Sequence, residues 1–252
     1  MCNPGRVLLQ VYFVCSERSI MSNLSAVYRD CRQRYIELVQ PLGAKAAQTP
    51  VPACPSWSVH DVLAHVVGSA VDLVAGRLDG APGEAWTAVQ VELRRSHSMA
   101  DLLAEWEACS STIEEMIDEG GHRGPLHFSV EDAAISDAVS HEHDIRGALR
   151  QPGGRDSDAV AFAVAFYARN RIERAAERGI SLRVCVTDSR EFGNADATVT
   201  LTGDPFDLLR AMAGRRSKSQ LRGMAWTGNA ESVIVEFGRA GALVPLRYPI
   251  KE

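Results

Sequence analysis

The sequence contains no apolar run of the roughly 18 to 20 residues that a helix needs to cross a bilayer, so no membrane span is expected. It also lacks a surplus of basic charge, since 27 Lys and Arg face 32 Asp and Glu for a formal net charge of −5. This balance gives the whole chain no attraction to nucleic acid. The 252 residues are 46% hydrophobic and 23% charged, which is typical of a globular protein and argues against disorder.

No CxxC pair is present, and the six cysteines are spread along the chain without close spacing. They are Cys2, Cys15, Cys31, Cys54, Cys109 and Cys185. This pattern is neither a disulfide framework nor a thiolate zinc site, and it predicts free thiols in a reducing cytoplasm. Residues 1–20 contain a short apolar stretch with a poor cleavage context for a signal peptide. We expect them to be a dispensable extension, with Met21 a second possible start.

The apolar periodicity of residues 21–152 predicts four helices, which favours a four-helix bundle. The first expected helix covers residues 24–42, and the second begins at Ser58 and ends where residues 76–83 break the pattern. The third covers residues 99–119, and the fourth covers residues 131–149. The stretch Gln-Pro-Gly-Gly at 151–154 stops the fourth helix. The charge changes at the same place, from a net of −8 over residues 1–150 to +3 over residues 151–252. We therefore predict a domain boundary near residue 152.

A different pattern follows that boundary. Residues 157–178 predict a helix, Asp204-Pro205 opens a short helix that Gly214 closes, and three runs predict strands. The three runs cover residues 182–186, 197–201 and 232–237. Helices with a small sheet after an all-helical half indicate a separate domain over residues 153–252 and an α+β class for the chain.

The segment richest in chemistry is residues 136–144, SDAVSHEHD. On a helix, Asp137 and His141 lie four residues apart on one face, and Asp144 joins them three residues later. A carboxylate and an imidazole one turn apart can hold a divalent ion if a third ligand comes from elsewhere, and His65, near the apolar face of the second helix, is the candidate. Three ligands with an open position are typical of a catalytic metal. Asp144 would then orient His141 or a bound water.

Each of these features also has a plainer interpretation. A lone histidine such as His65 is more often a hydrogen-bonded core residue than a ligand, and Asp137 with His141 could be a surface pair. Cys54 lacks a recognisable catalytic partner and is better interpreted as a packed thiol, and Trp57 is expected to staple the start of the second helix. The remaining histidines are interpreted as surface or loop residues: His60, His97, His122, His127 and His143.

Residues 51–65, VPACPSWSVHDVLAH, resemble the opening motif of the mycothiol-dependent maleylpyruvate isomerase family, a branch of the DinB-like metal-binding helical bundles. Residues 137–149 resemble the family's second motif, an acidic residue followed four positions later by His and three later by Asp. Residues 201–210 and 214–217 look like its carboxy-terminal domain, so the resemblance covers roughly residues 24–237. The two metal motifs are fairly specific for fold and metal site, and poorly specific for the reaction.

The resemblance implies a DinB-like four-helix bundle followed by a small α/β carboxy-terminal domain, with a zinc-like divalent ion held by His65, Asp137 and His141. The characterised isomerase has glutamate at the acidic position, and the shorter Asp137 could alter the geometry or the choice of metal. The family chemistry would use mycothiol, whose thiol becomes a strong nucleophile once a metal lowers its pKa. Addition of that thiolate to a conjugated double bond permits cis–trans isomerisation.

We therefore expect a metal- and mycothiol-dependent enzyme, an isomerase or S-transferase that acts on a small molecule. The alternative is a catalytically inactive metal-binding protein that serves as a small-molecule carrier or sensor. An open metal position that faces a cavity would favour the enzyme, and a filled coordination shell would favour the binding protein. Nucleic-acid binding through the basic second half is a weaker hypothesis, because the densest basic cluster has no interleaved aromatic residues.

That basic cluster consists of Arg215, Arg216, Lys218 and Arg222. Most of these charges are expected to solvate a loop. An enzyme site in the acidic half of the chain nevertheless needs a cation if its substrate or thiol carries a carboxylate. Arginine can bind a carboxylate with two parallel hydrogen bonds. We predict that one member reaches over the metal pocket as a catalytic residue, with Arg222 the first choice and Arg216 the second.

Overall fold

The structure is a computed structural model that describes residues 23–120, 129–237 and 244–252. The predictions for residues 1–20, His122 and His127 lie outside these ranges. The helices that precede the sheet are α1 Leu24–Val39, α2 Ala44–Ala47, α3 Val59–Ala75, α4 Glu84–Leu93, α5 Met99–Glu119, α6 Val130–Leu149 and α7 Asp158–Ala176. The four helices expected from the periodicity are α1, α3, α5 and α6. Helix α4 was missed, because its described buried positions are few.

Three of the long helices begin at a serine that fixes their first turn. In each, the serine hydroxyl accepts a hydrogen bond from the backbone N–H three residues later, and the aspartate at that position accepts one from the serine N–H. The pairs are Ser58–Asp61, Ser98–Asp101 and Ser129–Asp132. These starts place His65 in the second turn of α3, and Asp137 and His141 on successive turns in the middle of α6.

The remaining elements form a small sheet with helices. They are β1 Leu182–Val186, β2 Glu191–Phe192, β3 Val199–Gly203, α8 Pro205–Met212, α9 Lys218–Arg222, β4 Ala225–Thr227 and α10 Ala230–Phe237. The strand order is β2–β1–β3–β4, with β1 and β3 parallel and both outer pairs antiparallel. The α+β class, helices followed by a small sheet, is confirmed.

The strand predicted at residues 232–237 is wrong, because these residues belong to α10. Val233, Ile234 and Phe237 are buried, and their spacing of one and three residues gathers them on one face of a helix. A short apolar run fits a strand and a buried helix turn equally well. The strand that pairs antiparallel with β3 is instead β4.

The hydrophobic core is one cluster that runs from the helical part to the sheet. Trp106 is fully buried, meets Tyr35 edge-on, and donates a hydrogen bond to the hydroxyl of Tyr28 at 2.8 Å. Leu201 and Ile234 belong to the same cluster near the sheet. The domain boundary near residue 152 stays a prediction. None of the described helices is both long enough and apolar enough to span a membrane.

Two histidines expected at the surface are buried. His60 contacts the backbone carbonyl of His97 through Nε2 at 2.8 Å, and His143 packs edge-on against Phe206 with ring centroids 4.9 Å apart. Burial lowers the pKa of His143 to about 3, helped by the positive charges of nearby arginines. His97 is exposed. The polarity of histidine alone misled the prediction for His60 and His143.

Helix α4 packs closely on α3 at Gly68. A Cβ atom at that position would lie 2.5 Å from the Cβ of Gln90 and 2.9 Å from Nη1 of Arg94. Arg94 in turn donates to the Gln90 carbonyl at 3.2 Å and pairs with Glu105 of α5 at 2.7 Å. The missing side chain therefore allows α4 to approach α3, and Arg94 ties α4 to α5 as well.

We expect Gly68→Ala to lower the free energy of unfolding by about 1 to 3 kcal/mol, because the added methyl group overpacks the contact with Gln90. Urea denaturation followed by circular dichroism measures this change. Gly43→Ala is the control, since a Cβ at that position meets nothing within 4 Å. Equal stability of the two variants would contradict the close approach.

Candidate metal centre

His65 of α3 meets Asp137 and His141 of α6 where the two helices pack together. One potential ligand atom from each residue lies within 4.8 Å of the other two. Oδ1 of Asp137 is 3.5 Å from Nε2 of His65 and 3.6 Å from Nε2 of His141, and the two imidazole centroids are 4.9 Å apart. The structure therefore brings together all three residues that the sequence indicated as ligands; we call them the metal trio.

The separations within the metal trio suit one divalent ion. Ligand bonds of about 2.1 Å in a tetrahedral arrangement separate neighbouring ligand atoms by roughly 3.4 Å. The carboxylate-to-imidazole distances of 3.5 and 3.6 Å are close to that value. Both imidazoles are buried, whereas the Asp137 side chain is 31% exposed, so solvent reaches the centre from the Asp137 side.

The second nitrogen of each imidazole lies against an oxygen of the protein. Nδ1 of His65 is 2.7 Å from Oε1 of Gln90, and Nδ1 of His141 is 2.9 Å from Oδ2 of Asp144, the latter at an angle bent from the ideal hydrogen bond. Amide and carboxylate oxygens accept hydrogen bonds, so both positions favour a proton on Nδ1, although the contact of His141 is too bent to count as a hydrogen bond. Each Nε2 lone pair then faces the Asp137 carboxylate, an arrangement that a cation between them stabilises.

The ionisation of Asp137 also suits a metal ligand. Desolvation by itself would raise its pKa, but electrostatic interaction with His65, followed by those with His141 and Arg215, lowers it to about 2. Burial lowers the pKa of His141, although Asp144 acts in the opposite direction. At neutral pH the centre therefore holds an ionised carboxylate beside a neutral His141, the states that bind a metal.

Behind His141, Asp144 is completely buried and is held by two guanidinium groups. Nη2 of Arg210 donates to its Oδ1 at 2.6 Å, and Nη2 of Arg215 donates to its Oδ2 at 3.0 Å. Burial by itself would raise the pKa of Asp144, but Arg215 and Arg210, with the hydrogen bond from His141, hold it well below its usual range. Asp144 is thus an anion fixed against His141, in the place that the sequence spacing predicts.

Arg215 is the member of the basic cluster that reaches the centre. Arg222 pairs with Glu231 at the surface, and its side chain is 53% exposed. Arg216 pairs with two carboxylates beside a separate cavity of about 400 Å³. Within the described ranges, neither Arg222 nor Arg216 hydrogen-bonds to the metal trio or to Asp144. Their role as a carboxylate clamp stays a prediction, and these ion pairs favour neither residue.

Cys54 lies at the edge of the same cluster. Its Sγ is 3.3 Å from Oδ2 of Asp144, and with His141 and Asp144 it forms a second group of potential ligand atoms. Two arginines already neutralise Asp144, so a further cation is disfavoured there. Burial raises the pKa of Cys54, with a further contribution from Asp144, so the group is a neutral thiol at physiological pH. The packed-thiol interpretation fits this position better than a nucleophile.

Two indole rings line the centre on the His65 side. The ring centroid of Trp57 is 5.1 Å from that of His65 and 6.2 Å from that of His141, and Trp86 meets His65 edge-on at 6.5 Å. Trp57, expected only to pack at the start of α3, therefore also lies against both imidazoles. Trp86 and Gln90 were missed together with α4, because the few buried positions of that helix give no periodic signal in the sequence that could have found them.

Residues 28–146 match the family model described as the mycothiol maleylpyruvate isomerase N-terminal domain. Two solved structures are similar: a crystal structure of the mycothiol-dependent maleylpyruvate isomerase, with a TM-score of 0.53, and one of a histidine-to-alanine mutant of that isomerase, with a TM-score of 0.52. Each is 12% identical, and each alignment covers 77% of this chain and 89% of the other. At this identity the likeness shows a shared fold. No curated protein matches the sequence.

The guanidinium groups around Asp144 generate a prediction about stability. We expect Arg215→Met to lower the free energy of unfolding by about 3 kcal/mol, because it removes one partner of a buried carboxylate. Arg222→Met is the matched control and should leave stability essentially unchanged, since its ion pair is exposed. Guanidinium chloride denaturation compares the two. Equal effects would contradict the placement of Arg215 against Asp144.

Proposed function

We propose that the protein, whose residues 28–146 match the family model of the mycothiol maleylpyruvate isomerase N-terminal domain, is a metal- and mycothiol-dependent enzyme. It acts on a small molecule as a thiol-assisted isomerase or S-transferase of the maleylpyruvate isomerase type. The observation that carries this proposal is the geometry of the metal trio. Its carboxylate lies 3.5 and 3.6 Å from the two imidazole nitrogens and forms the solvent-accessible side of the centre.

His65, Asp137 and His141 hold the divalent ion in this proposal. Two imidazoles and one carboxylate are a ligand set that zinc prefers, and three protein ligands leave a position for a small thiol. When bound, the ion lowers the pKa of that thiol and makes it a nucleophile. Aspartate in place of the isomerase's glutamate does not prevent this role, because Asp137 already reaches both nitrogens at comparable distances.

The other residues of the centre orient the ligands and shape the pocket. Asp144 lies 2.9 Å from Nδ1 of His141 and orients its ring, and Arg210 and Arg215 keep Asp144 ionised. Trp57 and Trp86 supply flat apolar surface beside His65, against which a conjugated substrate can stack.

The bonds that form and break during the isomerisation belong only to the thiol and the substrate. The thiolate sulfur bonds to one carbon of a double bond conjugated with a carbonyl, and the π-electron pair moves to the carbonyl oxygen. The former double bond, now single, rotates. Return of the electron pair re-forms the double bond and expels the thiolate, so the thiol is regenerated. An S-transferase would keep the carbon–sulfur bond, and the proton released by the thiol would end on the carbon beside the carbonyl. Because the thiol must be reduced, we place the protein in the cytoplasm, and the described cysteines are free.

Protein purified without a metal-affinity tag should contain about one divalent ion per chain, most of it zinc. The double variant His65→Ala/His141→Ala should lose this ion because two of its three ligands are gone. His97→Ala, at an exposed position, is the control. Elemental analysis measures the ion, and stoichiometric metal in the double variant would contradict the assignment.

The same preparations test the reaction. The parent and His97→Ala should isomerise maleylpyruvate only when mycothiol is present, and the double variant should not, as followed by the absorbance of the substrate. Metal binding without turnover of maleylpyruvate or thiol conjugation would favour the carrier or sensor alternative.

Metal occupancy should fall as the pH drops below about 6, near the ordinary histidine pKa, because protons then compete with the metal for the imidazoles. Protonation of His141 adds to this loss only at lower pH, since burial lowers its pKa. The sign follows from the ligand state, since a histidine binds only when neutral. Equilibrium dialysis against buffered zinc between pH 4 and 8 measures the occupancy. Constant occupancy down to about pH 4 would show that the ligands are not these histidines.

A further inference from the structure

Gln90 of α4 bridges two residues of α3 through its side-chain amide. It is 1% exposed, its Oε1 lies 2.7 Å from Nδ1 of His65, and its Nε2 donates to Oδ2 of Asp72 at 3.1 Å. The hydroxyl of Ser69 also points a donor at Oε1, at 3.4 Å. The amide thus connects a ligand of the metal trio to a carboxylate outside it.

The direction of this chain of hydrogen bonds is fixed from the Asp72 end. Arg77 pairs with Asp72 at 2.8 Å, and a carboxylate paired with a guanidinium group can only accept hydrogen bonds. The amide nitrogen of Gln90 must therefore face Asp72, and the amide oxygen must face His65. An oxygen opposite Nδ1 requires that nitrogen to donate. The proton of a neutral His65 is thus held on Nδ1, and the Nε2 lone pair points to Asp137.

Close packing holds Gln90 in this place. Position 68 has no Cβ, and one built there would meet the Cβ of Gln90 at 2.5 Å. Arg94 donates to the backbone carbonyl of Gln90, while its other side pairs with Glu105. The amide therefore has little freedom to turn away from His65, as an orienting partner of a metal ligand requires.

We infer that Gln90 is a positioning residue of the metal centre, which acts through His65 by fixing its tautomer and ring orientation, and that Asp72 sets the direction of the Gln90 amide. This inference rests on the proposed function in one respect, that Nε2 of His65 is a metal ligand. The two imidazoles are held differently: Gln90 fixes His65 without added charge, whereas His141 lies against Asp144, whose charge two arginines offset.

Gln90→Leu tests the inference because leucine has a similar volume and no acceptor. Nitrogen-15 NMR of the metal-free protein, about two pH units above the ordinary histidine pKa, reads the tautomer of His65. Competition with a chromophoric chelator reads the dissociation constant for zinc. We expect the variant to populate the Nε2–H form and to bind zinc about 10- to 100-fold more weakly. Gln33→Leu, at an exposed position of α1, is the matched control and should change neither quantity.

A Gln90→Leu protein that keeps the Nδ1–H tautomer and the parent zinc affinity would overturn the inference, because a residue that only ties α4 to α3 leaves both unchanged. If Gln90→Leu does not fold, the variant Asp72→Asn tests the inference in its place. Asparagine can donate as well as accept, so the Gln90 amide can turn, and a mixture of His65 tautomers is expected. A single Nδ1–H tautomer in that variant would overturn the inference. Failure of the parent to bind zinc would refute the proposed function, while the tautomer measurements would still decide the role of Gln90.

Discussion

The structure depends most on one arrangement of charge, an ionised Asp137 that faces the Nε2 atoms of His65 and His141 at 3.5 and 3.6 Å. Without a cation, three electron-rich atoms at this distance repel one another. Capped helix starts place the ligands on α3 and α6, and hydrogen-bond acceptors behind each ring turn both Nε2 atoms inward. The fold therefore holds these three groups in an arrangement that suits a divalent ion.

Charge compensation links this centre to the second half of the chain. Asp144 is buried at the back of His141, and a buried carboxylate is stable only when it is paired. Arg210 and Arg215, which belong to the region after the sheet's central strands, supply that pairing. Glu252 in turn pairs with Arg210 and Arg216, so the excess positive charge is offset as well. The acidic bundle and the basic second half meet at this network.

The sequence was sufficient to predict the four long helices, the α+β class and the proximity of His65, Asp137 and His141, because helical spacing brings positions 137 and 141 to one face and periodicity places His65 near its partner helix. Their role as metal ligands stays a prediction. The sequence was not sufficient for α4, whose single buried polar residue Gln90 carries no periodic signal, or for residues 232–237, whose short apolar run fits two structures. The sequence also could not predict that Arg215 is the member of the basic cluster that pairs with Asp144. Which of several neighbouring guanidinium groups turns inward depends on the path of the chain after Gly214, where φ is 79°, and on the carboxylates that each one meets.

The most direct measurement is X-ray absorption at the zinc edge of the loaded protein, before and after addition of mycothiol. Two imidazole nitrogens and one carboxylate oxygen near 2.0 to 2.2 Å, completed by an exchangeable light atom, are expected first, and a sulfur neighbour at about 2.3 Å should appear only with the thiol. Sulfur already present before mycothiol is added would place Cys54 on the metal and contradict the metal trio. A coordination shell that mycothiol leaves unchanged would contradict the use of the centre to activate a thiol.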